Sequence, residues 1–355
     1  MSTPAEPAAP AAAAPLPAPL PAAGRRRDLL AMLVRFQSLI GLVLVLLGGI
    51  AFSPVRHHHL LFLSPDNIAN IVRAISETGI IALGMTFVIT TAGIDLSVGA
   101  ALGLSSVLAA TLMVSFGWGI LPTLIAVMLA GTLFGAAQGF ISTRFRLEAF
   151  IVTLAGLQVA RGLALVVSGN AYINISYGDA PGFAPPAFAI LGERLFGNTV
   201  PVATLVFLAL AVVATLVLNT TRFGRYVFAV GGNERAARLS GVPVSAIKIS
   251  VYAITGFASA AAGIVHAGQF NFGSANDGAG YELTAIAAVV IGGTSLFGGA
   301  GTMIGTIAGS IMLGALANIL QLNNINAALQ LLATGAIIVV AAVLQAIVGR
   351  REGTR

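Results

Sequence analysis

The stretch Gly93-Ile94-Asp95-Leu96-Ser97-Val98-Gly99 joins two long apolar runs with almost no polar loop between them. A carboxylate so close to hydrocarbon is costly and ordinarily faces a cavity or a partner. Asp95 could therefore line a polar passage. Equally, Asp95 or Ser97 could accept backbone N–H groups at the start of the next helix. The two roles are compatible, as a rigid turn between Gly93 and Gly99 that shapes a pathway. Arg161 poses a related problem, because a guanidinium inside an apolar run needs water or a partner. Glu282, itself near the start of an apolar run, Asp277 and Asp95 are the available carboxylates, and the sequence leaves the choice open.

A second chemistry is recognition rather than reaction. The segment Asn233-Glu234-Arg235-Ala236-Ala237-Arg238-Leu239-Ser240-Gly241 reads as a short polar helix. Asn233 can serve as its N-cap, with Glu234 and Arg238 complementing the helix dipole at the two ends. Gly241 supplies a left-handed stop, and Pro243 prevents continuation. Such a helix between two apolar runs suits docking to a protein partner, or lying flat on anionic lipid.

Other chemistries are absent. The only lysine is Lys248, preceded by Ile247, so the chain has no GxxxxGK[ST] phosphate loop and is expected not to hydrolyse ATP. Gly298-Gly-Ala-Gly301 lacks the spacing of a dinucleotide fingerprint. With no cysteine, thiolate nucleophiles and thiolate-held metals are excluded. Adjacent His57, His58 and His59 cannot all face one metal and read as a solvated run. No His/Asp/Glu or Ser/Lys cluster sits where a membrane enzyme would need it.

The elements that must position these residues follow from composition. Of 355 residues, 57% are hydrophobic and only 8% charged, against about 25% charged in a soluble domain. Mean hydropathy is +0.96. The solvent that fits is lipid. Apolar runs at 29–52, 67–91, 97–116, 120–142, 150–168, 200–219, 247–268, 282–297, 302–320 and 327–348 predict about ten membrane helices. The run at 282–297 is short and glycine-rich at its end, as expected of a broken or re-entrant segment. Gly99/Gly103, Gly131/Gly135/Gly139 and Gly301/Gly305/Gly309 place small residues on one helix face, for close helix packing.

Ahead of the first run, residues 1–28 form an Ala/Pro-rich tail expected to be disordered. A membrane domain at 29–349 and a tail at 350–355 complete the division. The net charge of +6 does not indicate nucleic acid, because the basic residues cluster at the ends of apolar runs. Arg25 to Arg27, Arg144, Arg146, Arg222, Arg225, Arg235, Arg238, Lys248, Arg350 and Arg351 share one side if ten spans start inside. The positive-inside rule then predicts that both termini and Asn233–Ser240 are cytoplasmic. A long loop at 169–199 falls on the other side, where its size suits contact with a periplasmic component.

Four stretches together resemble the ribose/xylose/galactoside-type ABC permease family. They are Gly84 to Gly99, Thr221-Arg-Phe-Gly-Arg-Tyr226, Gly231 to Gly241, and Gly280 to Gly299. The resemblance covers roughly residues 29–349. It implies an all-α type II importer permease in a bacterial inner membrane, translocating a ribose-, xylose- or galactose-like monosaccharide. It also implies a second permease copy, identical or related, a cytoplasmic ATPase that binds ATP and Mg, and a periplasmic sugar-binding protein. The chain itself is expected to carry no cofactor. The family's coupling helix would fall on Asn233 to Ser240, which favours docking over the lipid surface. A branched-chain amino acid or nucleoside permease and an ion-coupled secondary transporter are the competing functions.

Overall fold

A computed structural model describes residues 37–56 and 59–336, with Val339 and Val343 beyond them. The expectations for the Ala/Pro tail, Arg25 to Arg27, His57, His58, the end of the last apolar run and the C-terminal tail lie outside the described residues.

Among the described residues, seven helices are long and apolar enough to cross a membrane. They are α2 (Pro65–Thr90), α3 (Val98–Ala110, continued by a π-helical turn Thr111–Ser115), α4 (Ile120–Phe145), α5 (Ala149–Ser168), α6 (Val202–Thr220), α9 (Val244–Phe270) and α11 (Met303–Leu322). Three shorter apolar helices are α1 (Gln37–Ala51), α10 (Tyr281–Ile291) and α12 (Ala327–Ala336). Two further helices, α7 (Arg222–Gly232) and α8 (Glu234–Leu239), lie between α6 and α9. Three two-stranded antiparallel ribbons close loops: Val55–Arg56 with His59–Leu60, Ile173–Asn174 with Phe272–Gly273, and Arg194–Leu195 with Val200–Pro201.

Local chemistry explains the boundaries. Ser64 caps α2 by accepting from the Asn67 N–H at 3.3 Å, with Pro65 at the first helical position and Asp66 in the first turn. Arg146 at φ 54°, Gly169 at φ 61° and Asn271 at φ 58° end α4, α5 and α9 in the left-handed region.

The helices form an inner group and an outer shell. In α2, α3 and α9, 78%, 72% and 72% of the most apolar stretch is buried, whereas in α4, α5 and α6 the share is 22%, 28% and 33%. The outer helices turn Leu121, Ile125, Leu129, Leu133, Leu163, Val166 and Val212 outward. Their apolar exposure is stable against hydrocarbon and not against water. The glycine ladders are where helices meet. A Cβ on Gly131, Gly135 or Gly139 would run into α9 at Gly256, Tyr252 or Ile249. One on Gly305 or Gly309 would strike the carbonyls of Gly292 and Ala288, and one on Gly99 or Gly103 the backbone of Gly278 and Asp277.

The short segment predicted at 282–297 is a helix of 11 residues that stops at Ile291, about 16 Å long at 1.5 Å per residue. Before it, the chain runs without helix from Ser274 to Gly280. After it, a glycine-rich loop packs Gly299 N–H onto the Thr90 carbonyl at 2.9 Å.

Candidate functional site

At the α8 face of the bundle, Asn233 caps α8 as its residue type requires, its Oδ1 accepting from the Ala236 N–H at 2.9 Å. Glu234 accepts from Lys248 Nζ at 2.6 Å and from Arg238 at 2.9 Å. The Lys248 hydrogen bond, with Arg238 behind it, holds the Glu234 carboxyl below the usual carboxylate range. Gly241 sits at φ +80° and ends the helix as expected. Ala237 is buried against the bundle, while Leu239 projects with 83% of its surface exposed. Beside α8 lies a cleft of about 540 Å³ lined by Thr91, Arg146, Glu148, Glu234, Arg238 and Lys248.

The helix ahead of it, α7, has no counterpart among the elements expected from the sequence. Thr221 caps it by accepting from the Gly224 N–H at 3.2 Å. Phe223, Val227 and Val230 seat it on the core. That cap and spacing were the available signal, diluted by three glycines. Gly231, near its end, lies against the Thr90 carbonyl and Gly299, so the α7–α8 elbow touches both the end of α2 and the α10–α11 loop.

The Gly93–Gly99 turn lies at the same face. Asp95 is buried, and its Oδ1 accepts from the Ser97 N–H at 2.9 Å and the Ser97 hydroxyl at 2.7 Å. Burial pushes its carboxyl up to about 6, against the pull of those two hydrogen bonds. Of the two capping candidates only Asp95 accepts a backbone N–H. Ser97 makes no side-chain cap to α3; its hydroxyl is occupied with Asp95 and accepts from Gln138 Nε2 at 2.9 Å. Gly93 is needed because a Cβ there would meet the Tyr252 hydroxyl.

Arg161 finds none of the three carboxylates offered by the sequence as its hydrogen-bond partner. Its Nη1 donates to the Ala275 carbonyl and, at 3.1 Å, to the Asp277 carbonyl. The reason is the non-helical leg at 274–280, in which the Ala275 and Asp277 carbonyls are not taken by backbone N–H groups and so can meet a half-buried cation. Glu282 is half-buried at the start of α10, with a carboxylate oxygen against Gly99.

A buried polar chain was not anticipated. Glu77 of α2 lies 2.8 Å from His266 Nδ1 of α9, and accepts from Gln269 Nε2 at 3.1 Å and the Tyr281 hydroxyl at 3.2 Å. His266 Nε2 faces Asp277 Oδ1 at 3.3 Å. Asp277 Oδ2 accepts from the Ser106 hydroxyl at 2.7 Å and the Ser274 N–H at 2.8 Å. Glu77 and His266 are each an ionisable residue inside an apolar helix, the signal that could have marked them. Pairing them requires the fold, since 189 residues separate them. No group with metal-ligand geometry occurs among the described residues.

Apolar spans whose outer members turn large aliphatic side chains outward, with a capped polar helix between two of them, define a multi-pass helical membrane protein. The chain belongs to the family described as the branched-chain amino acid transport system / permease component, which matches residues 67–342. Among curated relatives, the ribose import permease protein RbsC of Haemophilus influenzae is 40% identical over 82% of this chain and 88% of its own. RbsC of Escherichia coli K12 is 38% identical over 90% of this chain and 95% of its own. The xylose transport system permease protein XylH of Escherichia coli K12 is 32% identical over 82% and 87%. No solved structure matches the chain.

Proposed function

We propose that the chain is the membrane subunit of an ATP-driven importer for a monosaccharide such as ribose or xylose, in a bacterial inner membrane. The observation that carries this reading is α8, a capped polar helix between two spans, in a chain that aligns over 90% of its length with a ribose import permease. Residues Asn233 to Gly241 act as the coupling element that seats in a cytoplasmic ATPase, which binds ATP and Mg. A second permease copy completes the membrane part. A periplasmic sugar-binding protein delivers substrate to the side that carries the 169–199 loop. Both termini are cytoplasmic. Nothing in this reading calls for nucleic acid or for a cofactor held by this chain.

Ion coupling through Asp95 is the less favoured reading, because the curated relatives are named as ribose and xylose import permeases. Asp95 Oδ1 accepts from Ser97 as part of the turn. The decisive experiment expresses the chain with an ATPase and a binding protein in cells stripped of their own ribose and xylose importers. Uptake of labelled D-ribose or D-xylose is expected, and its loss when the phosphate-loop lysine of the ATPase is replaced. Uptake of labelled L-leucine alone, or sugar uptake without a working ATPase, overturns the reading.

A further inference from the structure

A cavity of about 650 Å³ opens between α2, α10, α11 and α12, within the range of about 300–1,000 Å³ usual for small-molecule sites. Along α2 its wall runs from Asn67 to Thr78, and along α11 from Ser310 to Gln321. Each wall covers 12 residues, about 18 Å at 1.5 Å per residue, or a little over half of a roughly 30 Å hydrocarbon core. Further along the same two helices the bundle is shut. The hydroxyls of Thr86 and Thr306 meet at 2.7 Å, both fully buried. Past them Gly292 lies against Gly305, and Gly231 against Thr90 and Gly299. The cavity is therefore a blind vestibule, closed toward the α8 face.

Its polar lining has a definite hydrogen-bonding character. No Asp, Glu, Lys or Arg lines it among the described residues. The hydroxyls of Thr78, Thr284 and Ser310 donate to the carbonyls of Ile75, Gly280 and Thr306, and the Tyr281 hydroxyl donates to Glu77. A hydroxyl that has given its proton inward keeps oxygen lone pairs for an outside donor. Donors are found toward the mouth. Asn70 Oδ1 is taken by Arg194 at 2.7 Å, which leaves its amide N–H groups for the cavity, and Gln321 adds a second amide.

These walls select among solutes. An amino acid zwitterion or a phosphorylated compound would be desolvated here without a counter-charge, which is expensive. An apolar solute would leave the acceptors unpaired. A polyol, whose every hydroxyl both donates and accepts, satisfies acceptors and amides alike. Tyr281 is also the only aromatic lining residue among those described. Its hydroxyl is held by Glu77, which His266 and Gln269 hold in turn, and His266 is braced by Asp277. The buried polar chain thereby fixes the orientation of a lining residue.

We propose that this vestibule is a contact site for a neutral polyhydroxylated solute the size of one sugar ring, with Thr78, Tyr281, Thr284 and Ser310 as its acceptors and Glu77 as the positioning residue for Tyr281. The inference rests on the monosaccharide reading above and assigns residues to it.

The natural chain has no cysteine, so single cysteines report directly. Thr284→Cys, Ser310→Cys and Thr78→Cys are placed in the assembled importer and treated from outside with a charged, impermeant methanethiosulfonate. Leu129→Cys, at a position 55% exposed on the outer face of α4, is the control. A thiol facing hydrocarbon keeps its proton, and one unit of raised pKa slows it about tenfold. Cavity thiols are expected to react at least about tenfold faster than the Leu129→Cys thiol, and their reaction to abolish D-ribose uptake. Tyr281→Phe is expected to cut D-ribose uptake about tenfold, the loss of one buried hydrogen-bond partner, while a second-site Thr284→Cys still labels at its usual rate. Glu77→Gln, which keeps an acceptor for Tyr281, should restore more uptake than Glu77→Leu.

Three results overturn the assignment: cavity thiols no faster than the Leu129→Cys thiol, as a lipid-filled or copy-covered cavity would give; fast labelling that leaves uptake intact; or Tyr281→Phe at wild-type rate. If one cysteine variant fails to reach the membrane, the other two decide. Wild-type importer that takes up neither D-ribose nor D-xylose sinks the monosaccharide reading itself, and this assignment with it.

Discussion

Leu239→Ser separates the docking role of α8 from its stability. Leu239 is 83% exposed at the end of a six-residue helix. It therefore contributes little to the folded chain, and its loss costs about 0.5 kcal/mol of helix propensity at most. A partner that covers it gains the burial the free chain forgoes. Full burial of a leucine is worth about 1.5–3 kcal/mol, so roughly 1–2.5 kcal/mol remains to be gained. At 1.4 kcal/mol per factor of ten, Leu239→Ser should weaken ATPase retention by roughly one to nearly two orders of magnitude. The assay co-purifies the ATPase on tagged permease across a dilution series, beside D-ribose uptake and the amount of permease in the membrane. Retention and uptake should fall together while membrane content stays level. Glu234→Lys extends the test. It replaces the contacts to Lys248 at 2.6 Å and Arg238 at 2.9 Å with like charges, at about 0–1 kcal/mol per exposed pair. As a docking element, α8 should again lose the ATPase. On a lipid surface the added positive charge would strengthen attachment and spare uptake. Wild-type ATPase stoichiometry with normal uptake in both variants would refute the docking role.

Gly241→Val should behave like Leu239→Ser, because a β-branched residue is strongly disfavoured at φ +80°; co-purification reads it, and full retention counts against the helix stop. Asp95→Asn should keep D-ribose uptake within about twofold, since the amide oxygen can still accept from Ser97. Folded-state pKa is raised at Asp95, so its penalty appears above the usual carboxylate range and grows as pH rises toward about 6. Asn should therefore be more heat-stable in detergent than wild type at neutral pH, with the gap closing at acid pH; uptake lost with fold intact would instead make the charge functional. Ser240→Cys should react with an impermeant thiol reagent only from the cytoplasmic side, and periplasmic labelling would invert the topology. Purified permease alone should hydrolyse no ATP, measured as phosphate release, and uptake by it in liposomes under an ion gradient would contradict the ATP-driven reading.

Much of this protein is legible in its sequence because lipid imposes local rules. Apolar runs of about 20 residues, caps such as Ser64 and Asn233, and the stop at Gly241 each depend on a few neighbouring residues. The seven long helices and α8 fell where such signals placed them. The glycine ladders likewise announced close packing by spacing alone, although not which helix each would meet. What the sequence could not decide was pairing across distance. Arg161 took backbone carbonyls of residues 275 and 277, because the leg before α10 is unwound there. Glu77, His266, Asp277 and Tyr281 came together from α2, α9, the unwound leg at 274–280 and the start of α10. A buried polar group must find a partner somewhere, and local sequence states that demand. Only the packed bundle, by bringing helices nearly 200 residues apart into contact, chooses who meets it.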